Sequence, residues 1–351
     1  MKVIASYIVS PQETHIDEIE TQAIELRDYD TNSLEVAEPS WRDYIPMNQL
    51  RRMGKAVRIG TGAGLKLIKK HSKFENSDAI ILTTSNGGLE DCIKFLKQII
   101  FFGDGALTPT NFVQSTPNAI AGNIAMATNN QAYNMTHVNG SFSFLDGLRD
   151  AELFLSDQPN AKILLGSVEE ISDYNYRINE LRGDYKAEKI NSLDLISSTT
   201  KGTICGEGSA FFGLSDGDSS DEGTEIIGTA TLLSSKVDQI KKFMSDFLSD
   251  NNIVASEIDT LMLGYNGDVT NTEMYDYAKD VLVRESNVFS FKELFGEHAS
   301  VISMGFWYAT MLQKGMNPLR APLRDGNKKV SVVLIFNQYN HNENSLILIK
   351  R

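Results

Sequence analysis

Few side chains in this sequence combine the types and spacing that chemistry requires. Two cysteines, Cys92 and Cys205, show neither metal-ligand spacing nor a disulfide framework. Each reads as a small buried apolar residue. The acidic run at residues 216–223, DGDSSDEG, offers carboxylates for a cation, but its spacing matches no calcium loop and a solvated turn is expected. His137 ends the short segment MTHV; it is a candidate base, or a strand-end histidine with a structural hydrogen bond. Ser141 opens the helical stretch that follows, where serine serves either as a nucleophile or as a helix cap. Arg51, Arg52, Lys55 and Arg58 offer a basic cluster suited to an acidic partner protein.

The elements that must position these groups alternate in type. VIASYIV at the start reads as a buried strand. Residues 48–70 place Leu50, Met53, Val57, Leu65 and Ile68 near helical spacing, with glycines at a close packing point. AIILTTS (79–85) is a continuous apolar run, as in a strand covered on both faces, and Gly87-Gly88 leads into the helical pattern LEDCIKFLKQII. LTPTNFVQSTPNAIAGNIAMAT begins with turn chemistry and continues as a small-residue helix. MTHV (135–138) reads as a strand, SFSFLDGLRDAELFL as a helix, AKILLGSVEE as a strand and turn, and SAFFGLS (209–215) as a strand. After the acidic seam the alternation resumes: EIIGTATLLSS, VDQIKKFMSDFLSD and TLMLGYN, with VSVVLIFNQY and NSLILIKR as a closing strand pair. Alternation in both halves predicts an α/β sheet protein.

Length and composition limit the options. With 351 residues, 41% hydrophobic and 23% charged, the chain fits two modest domains or one large α/β unit. The boundaries expected are 1–215 and 224–351, one compact unit with the acidic loop between. A formal charge of −13 argues against nucleic acid. The first residues reach acidic positions too soon for a secretory signal, and no apolar run approaches the ~20 residues that span a bilayer. A cytoplasmic protein without cofactor or metal is expected.

Read in order, several segments resemble the landmarks of β-ketoacyl synthases. RRMGKAVRIGTGAGLKLIK is similar to the family's early Arg-Arg-Met helix, and ILTTSNGGLED to its strand and Gly-Gly turn. LTPTNFVQSTPNAIAGNIAM is similar to its dimer-facing segment. GSVEE resembles the Gly-Gly-x-Glu after the nucleophile helix, GEGSAFFGL the Gly-Glu-Gly-x-Ala stretch, and FSFKELFGEHASVISMGFW the Lys-x-x-x-Gly-His block. The resemblance implies a thiolase-like fold, two similar halves in a five-layer α/β/α/β/α sandwich. It also implies a dimer and an active site built from cysteine, two histidines and a supporting lysine.

Carried onto this sequence, the resemblance puts Gly140 at the nucleophile position, beside Ser141, and a glycine has no side chain to acylate. Asn266 takes the place of the first histidine; it can hydrogen-bond a carbonyl but cannot carry imidazole's proton chemistry. Lys292 is retained. Glu297 stands five residues later where the second histidine is expected, with His298 next in line. The terminal loop FNQYNHNENS lacks the usual glycines. A synthase fold without its triad resembles the chain-length-factor subunits that pair with a catalytic ketosynthase. Phe295-Gly296-Glu297 is similar to such proteins of aryl-polyene and flexirubin pigment pathways. The resemblance therefore implies a heterodimer with a ketosynthase, otherwise a homodimer, and contact with an acyl carrier protein. Residues 118–127 and 135–138 are the expected contact surface. Phe101, Phe102 and Phe112 are expected either to shape an acyl tunnel or to lie in the core. The alternatives are a rewired acyltransferase or hydrolase using Ser141 with His137 or His298, and an acyl-binding homodimer.

Overall fold

Residues 1–16, 19, 24–105, 107–216 and 223–351 are described in a computed structural model of the chain. The main sheet has ten strands: β1 (Lys2–Val9), β2 (Ala79–Thr84), β3 (Tyr133–Val138), β4 (Ile163–Glu169), β5 (Gly208–Ser215), β6 (Thr224–Leu233), β7 (Thr260–Leu263), β8 (Asn287–Ser290), β9 (Val332–Tyr339) and β10 (Glu343–Lys350). Their order is β8-β7-β9-β10-β6-β1-β5-β4-β2-β3.

This order contains a repeat. Within β1–β5, β1 pairs antiparallel with β5, β5 antiparallel with β4, and β4, β2 and β3 run parallel. Within β6–β10, β6 pairs antiparallel with β10, β10 antiparallel with β9, and β9, β7 and β8 run parallel. The two halves thus share one strand order and one set of directions. Among the described residues they pair edge to edge through Lys2↔Glu225 and Val3↔Thr224, with Ile226 N donating to Met1 O at 3.0 Å.

Six helices complete the layers: α1 (Lys55–Lys70), α2 (Leu89–Phe102), α3 (Ala119–Thr128), α4 (Ser143–Asp157), α5 (Val237–Asp250) and α6 (Ile302–Lys314). Strand side chains alternate between faces, so each half feeds two cores. In β4, Leu164 and Val168 meet α1 and α3 on one side, while Ile163 and Leu165 meet α4 on the other. In the second half, Leu346 and Leu348 pack outward in the cluster that includes α5; Ile347 and Ile349 pack inward with α6. The central layer, α4 and α6, is shared by both halves. Phe144, Phe212 and Phe306 form its aromatic centre, with ring centroids 5.0 to 5.6 Å apart. The five layers expected are present.

Two local expectations need correction. The helix read over 48–70 begins at Lys55; Met47–Leu50 is a separate short turn of helix, so Leu50 and Met53 are not on α1. The chain breaks at Gly54, where a Cβ would fall 1.7 Å from Asp91 Oδ2 and the backbone N–H donates to Gln114 Oε1. The glycines of α1 do mark a close packing point, since a Cβ on Gly60 or Gly64 would come within 2.7 Å of Ile120 or Ile124 on α3. Phe101, Phe102 and Phe112 are not core residues: they are 74%, 61% and 56% exposed. The acidic seam lies for the most part, at 217–222, outside the described residues.

Candidate functional site

The family-like motifs place their carboxylates on backbone N–H groups. Glu170 accepts from the N–H of Ala56 through one oxygen and of Glu90 through the other, so one side chain serves the first turns of α1 and α2. Such turns leave N–H groups without helical partners, and an anion there also meets the positive end of the helix dipole. Glu90 in turn accepts from Asp173 N and Ser172 Oγ at the start of the next helix, Asp173–Arg182. Glu207, fully buried, accepts from Val36 N, Ile171 N and Lys55 Nζ. Glu169 accepts from Ser85 N and from Ser300 Oγ at 2.8 Å. Burial outweighs these bonds and pushes its carboxyl up to about 7.

The turn into α4 follows the edge strand β3. Gly140 has φ +56°, a left-handed conformation that suits glycine. Ser143 Oγ ties this turn down: it accepts from Asn139 N and donates to Gly140 O at 2.9 Å and Thr84 O at 3.0 Å. The capping expected of Ser141 is not made. Its hydroxyl donates instead to Glu343 Oε2 at 2.6 Å, and its N–H lies 3.3 Å from the same oxygen. A Cβ on Gly140 would sit 3.5 Å from that oxygen. A carboxylate from the second half therefore occupies the space in front of Gly140.

Asn266, Lys292 and Glu297 come together. Lys292 Nζ, with no exposed surface, lies 2.8 Å from Glu297 Oε2 and 3.0 Å from Gln338 O. Asn266 Nδ2 donates to the same Glu297 oxygen at 3.0 Å. Burial holds the Lys292 ammonium below lysine's ordinary value, against the pull of Glu297. His298 is on the wall of an adjoining cavity with neither ring nitrogen hydrogen-bonded, and burial beside Lys292 lowers its pKa to about 3. It is a neutral imidazole. The two cavities that Glu297 lines measure about 90 and about 60 Å³, small against the ~300–1,000 Å³ typical of ligand sites.

The remaining candidates are dispersed. His137 is bonded through Nε2 to Asp150 at 2.8 Å. Cys205 is buried and its thiol pushed up to about 12, which leaves it unreactive; Cys92 is partly exposed on α2. Half of the basic cluster is already paired, Lys55 with Glu207 and Arg58 with Glu38, leaving Arg51 and Arg52 exposed. In the segment 118–127, Ala119, Ile120, Ala121 and Ile124 are buried and Met126 is 73% exposed. Strand β3 has one open edge, with Met135 and Val138 exposed on it. Together with Ile100, Phe101, Phe102, Phe112 and Val113 these residues leave much apolar side-chain surface exposed in 100–138. Among the described residues no group of three His, Cys, Asp or Glu is arranged to hold a metal, and no helix is long and apolar enough to cross a membrane.

Sequence reasoning missed Glu343, and the motif glutamates were read as landmarks without partners. No short-range signal marks them, because each bonds residues distant in the chain.

Comparisons with known proteins bear on the fold. Residues 27–190 match the family model described as the N-terminal domain of β-ketoacyl synthase. No curated protein sequence matches the chain. The fold is that of thiolase-like ketosynthases. A β-ketoacyl synthase from Burkholderia phymatum superposes with a TM-score of 0.77 at 15% identity over all of both chains. The ishigamide ketosynthase/chain length factor gives 0.75 at 15% identity, covering 99% of this chain and 98% of that one. A type II polyketide synthase acyl-carrier protein complex with its ketosynthase gives 0.75 at 11%, covering 99% and 98%.

Proposed function

We propose that this β-ketoacyl-synthase-like chain is a non-catalytic subunit of the chain-length-factor kind, which pairs with a cysteine-bearing ketosynthase. One observation carries the reading. The positions that the resemblance gives to cysteine and two histidines are Gly140, Asn266 and Glu297; Asn266 and Glu297 are bonded to each other, and Glu297 also to Lys292. No nucleophile and no proton-transfer imidazole stands there.

The exposed apolar side chains of 100–138, beside the open edge of β3, support a partner subunit, because so much exposed apolar surface is unusual for a chain that works alone. Phe101, Phe102 and Phe112 would then reach toward the partner, not into this chain's own core. An acyl carrier protein as a further partner, a cytoplasmic setting and a pathway of the aryl-polyene or flexirubin type belong to the same proposal. So does the division into halves at 1–215 and 224–351.

The rewired-enzyme reading draws on the short Ser141–Glu343 bond, but Ser141 is 1% exposed, and His137 is engaged by Asp150. Co-purification of the tagged chain from its native host tests the proposal. A ketosynthase recovered at equal stoichiometry is expected, with condensation only when both chains are present. Condensation by the isolated chain refutes it, and a clean self-dimer transfers the weight to an acyl-binding homodimer.

A further inference from the structure

The hairpin joining β9 to β10 turns through Asn340 and His341, both left-handed (φ +49° and +60°), with Asn342 N donating to Tyr339 O at 3.3 Å. This is the backbone of a type I′ turn, which matches strand twist but is unusual without glycine. Its geometry fixes which face Glu343 takes. Glu343, Ser345, Ile347 and Ile349 alternate with outward residues, and the two isoleucines lie in the central core. Glu343 therefore points inward, to the turn before α4. Ser345 and its cross-strand neighbour Asn337 share that face, each 1% exposed, with Ser345 Oγ and both amide atoms of Asn337 unpaired. Buried polar atoms of this kind cost about 1–3 kcal/mol each when nothing satisfies them. Glu343 itself is half-buried at the start of this polar strip.

We propose that the turn into α4 is a carboxylate-binding site that this chain fills in cis with Glu343. The Ser141 hydroxyl and N–H bond the carboxylate, the helix start favours its charge, and a Cβ on Gly140 would lie in contact with it at 3.5 Å. The inference rests on the reading of Gly140 as the vacated nucleophile position, and it adds a second barrier: restoring a nucleophile would not restore reactivity while Glu343 remains.

Two experiments test it. The first compares alkylation of Gly140→Cys with Gly140→Cys/Glu343→Gln by iodoacetamide at neutral pH, followed by peptide mass spectrometry to separate Cys92 and Cys205. A carboxylate this close disfavours the thiolate, so the double variant should react about tenfold faster, one pH unit of thiol pKa. Equal rates overturn the proposal. The second keeps Gly140 and measures the thermal midpoint of Glu343→Ala in sodium acetate against sodium chloride at equal ionic strength. Acetate should raise the midpoint of the variant and leave the native protein unchanged; no acetate-specific gain overturns the site. Acylation of native Ser141 by an acyl thioester would instead refute the non-catalytic reading, an outcome distinct from either of these.

Discussion

Replacing Glu169 by glutamine should flatten part of the stability–pH curve, by an amount the structure sets. The carboxyl is buried on the wall of the cavity that also meets Glu297 and His298, and burial raises it from the ordinary 4.5 to about 7. Below the ordinary value both folded and unfolded chains hold the proton, and the group has no effect. Between 4.5 and about 7 the unfolded chain releases it and the folded chain keeps it, so stability falls as pH rises. Above about 7 the full penalty remains. At about 1.4 kcal/mol per pH unit, that penalty is about 3 kcal/mol. Ser85 N, Ser300 Oγ and Thr84 Oγ1 all donate to Oε1, which a glutamine amide oxygen replaces without loss. Urea unfolding of native protein and Glu169→Gln from about pH 4 to about pH 8 measures the difference directly. The variant should gain on the native protein through that window and stay ahead by about 3 kcal/mol at the alkaline end. His298 acts in the opposite direction, losing stability as pH falls below 6.5 because its folded pKa is about 3, but it is common to both proteins and cancels. A difference that does not change with pH refutes the reasoning.

Two other outcomes follow from the same geometry. Lys292→Met leaves Glu297 buried with Asn266 as its remaining partner and should cost about 3–5 kcal/mol in urea unfolding. The double variant Lys292→Met/Glu297→Gln should recover most of it, and a single-variant cost under about 1 kcal/mol would rule out a buried ion pair. Phe101→Ser, at a 74% exposed position, should change the isolated chain's stability by no more than about 0.5 kcal/mol while weakening retention of the partner in co-purification. A loss of several kcal/mol in the isolated chain would place Phe101 in the core instead.

The fold was legible because alternation survives at the level of whole elements. Apolar runs such as AIILTTS give strands buried on both faces, and every strand expected from its run is present, apart from small differences at the ends. The start of α1 was not legible. The pattern continues through Leu50 and Met53, and the break depends on Asp91 and Gln114 pressing on Gly54 from other elements. The fate of Phe101 and Phe102 was equally hidden, since a helix that packs on its own core and one that waits for a partner have the same periodicity. In the site, residue identity set the expectation of a degenerate triad but did not show which side chains meet there. Glu343 is 202 residues from Ser141, and only the hairpin turn and the strand period bring them together. The motif glutamates are similar: Glu170 is 114 residues from Ala56 and 80 from Glu90. Their presence has a simple cause, for they satisfy backbone N–H groups that any chain with these helices must satisfy.

The two-pair seam between β1 and β6 bears on how the molecule comes apart. Strand pairing there is too slight to hold ten strands in one register, so the halves are joined mainly by side chains on α4 and α6. Each half taken alone would expose one side of that shared layer, Phe144 and Phe212 from one and Phe306 from the other. Unfolding should therefore be a single cooperative event despite the internal repeat, with the repeat unit serving as a unit of architecture and not of stability.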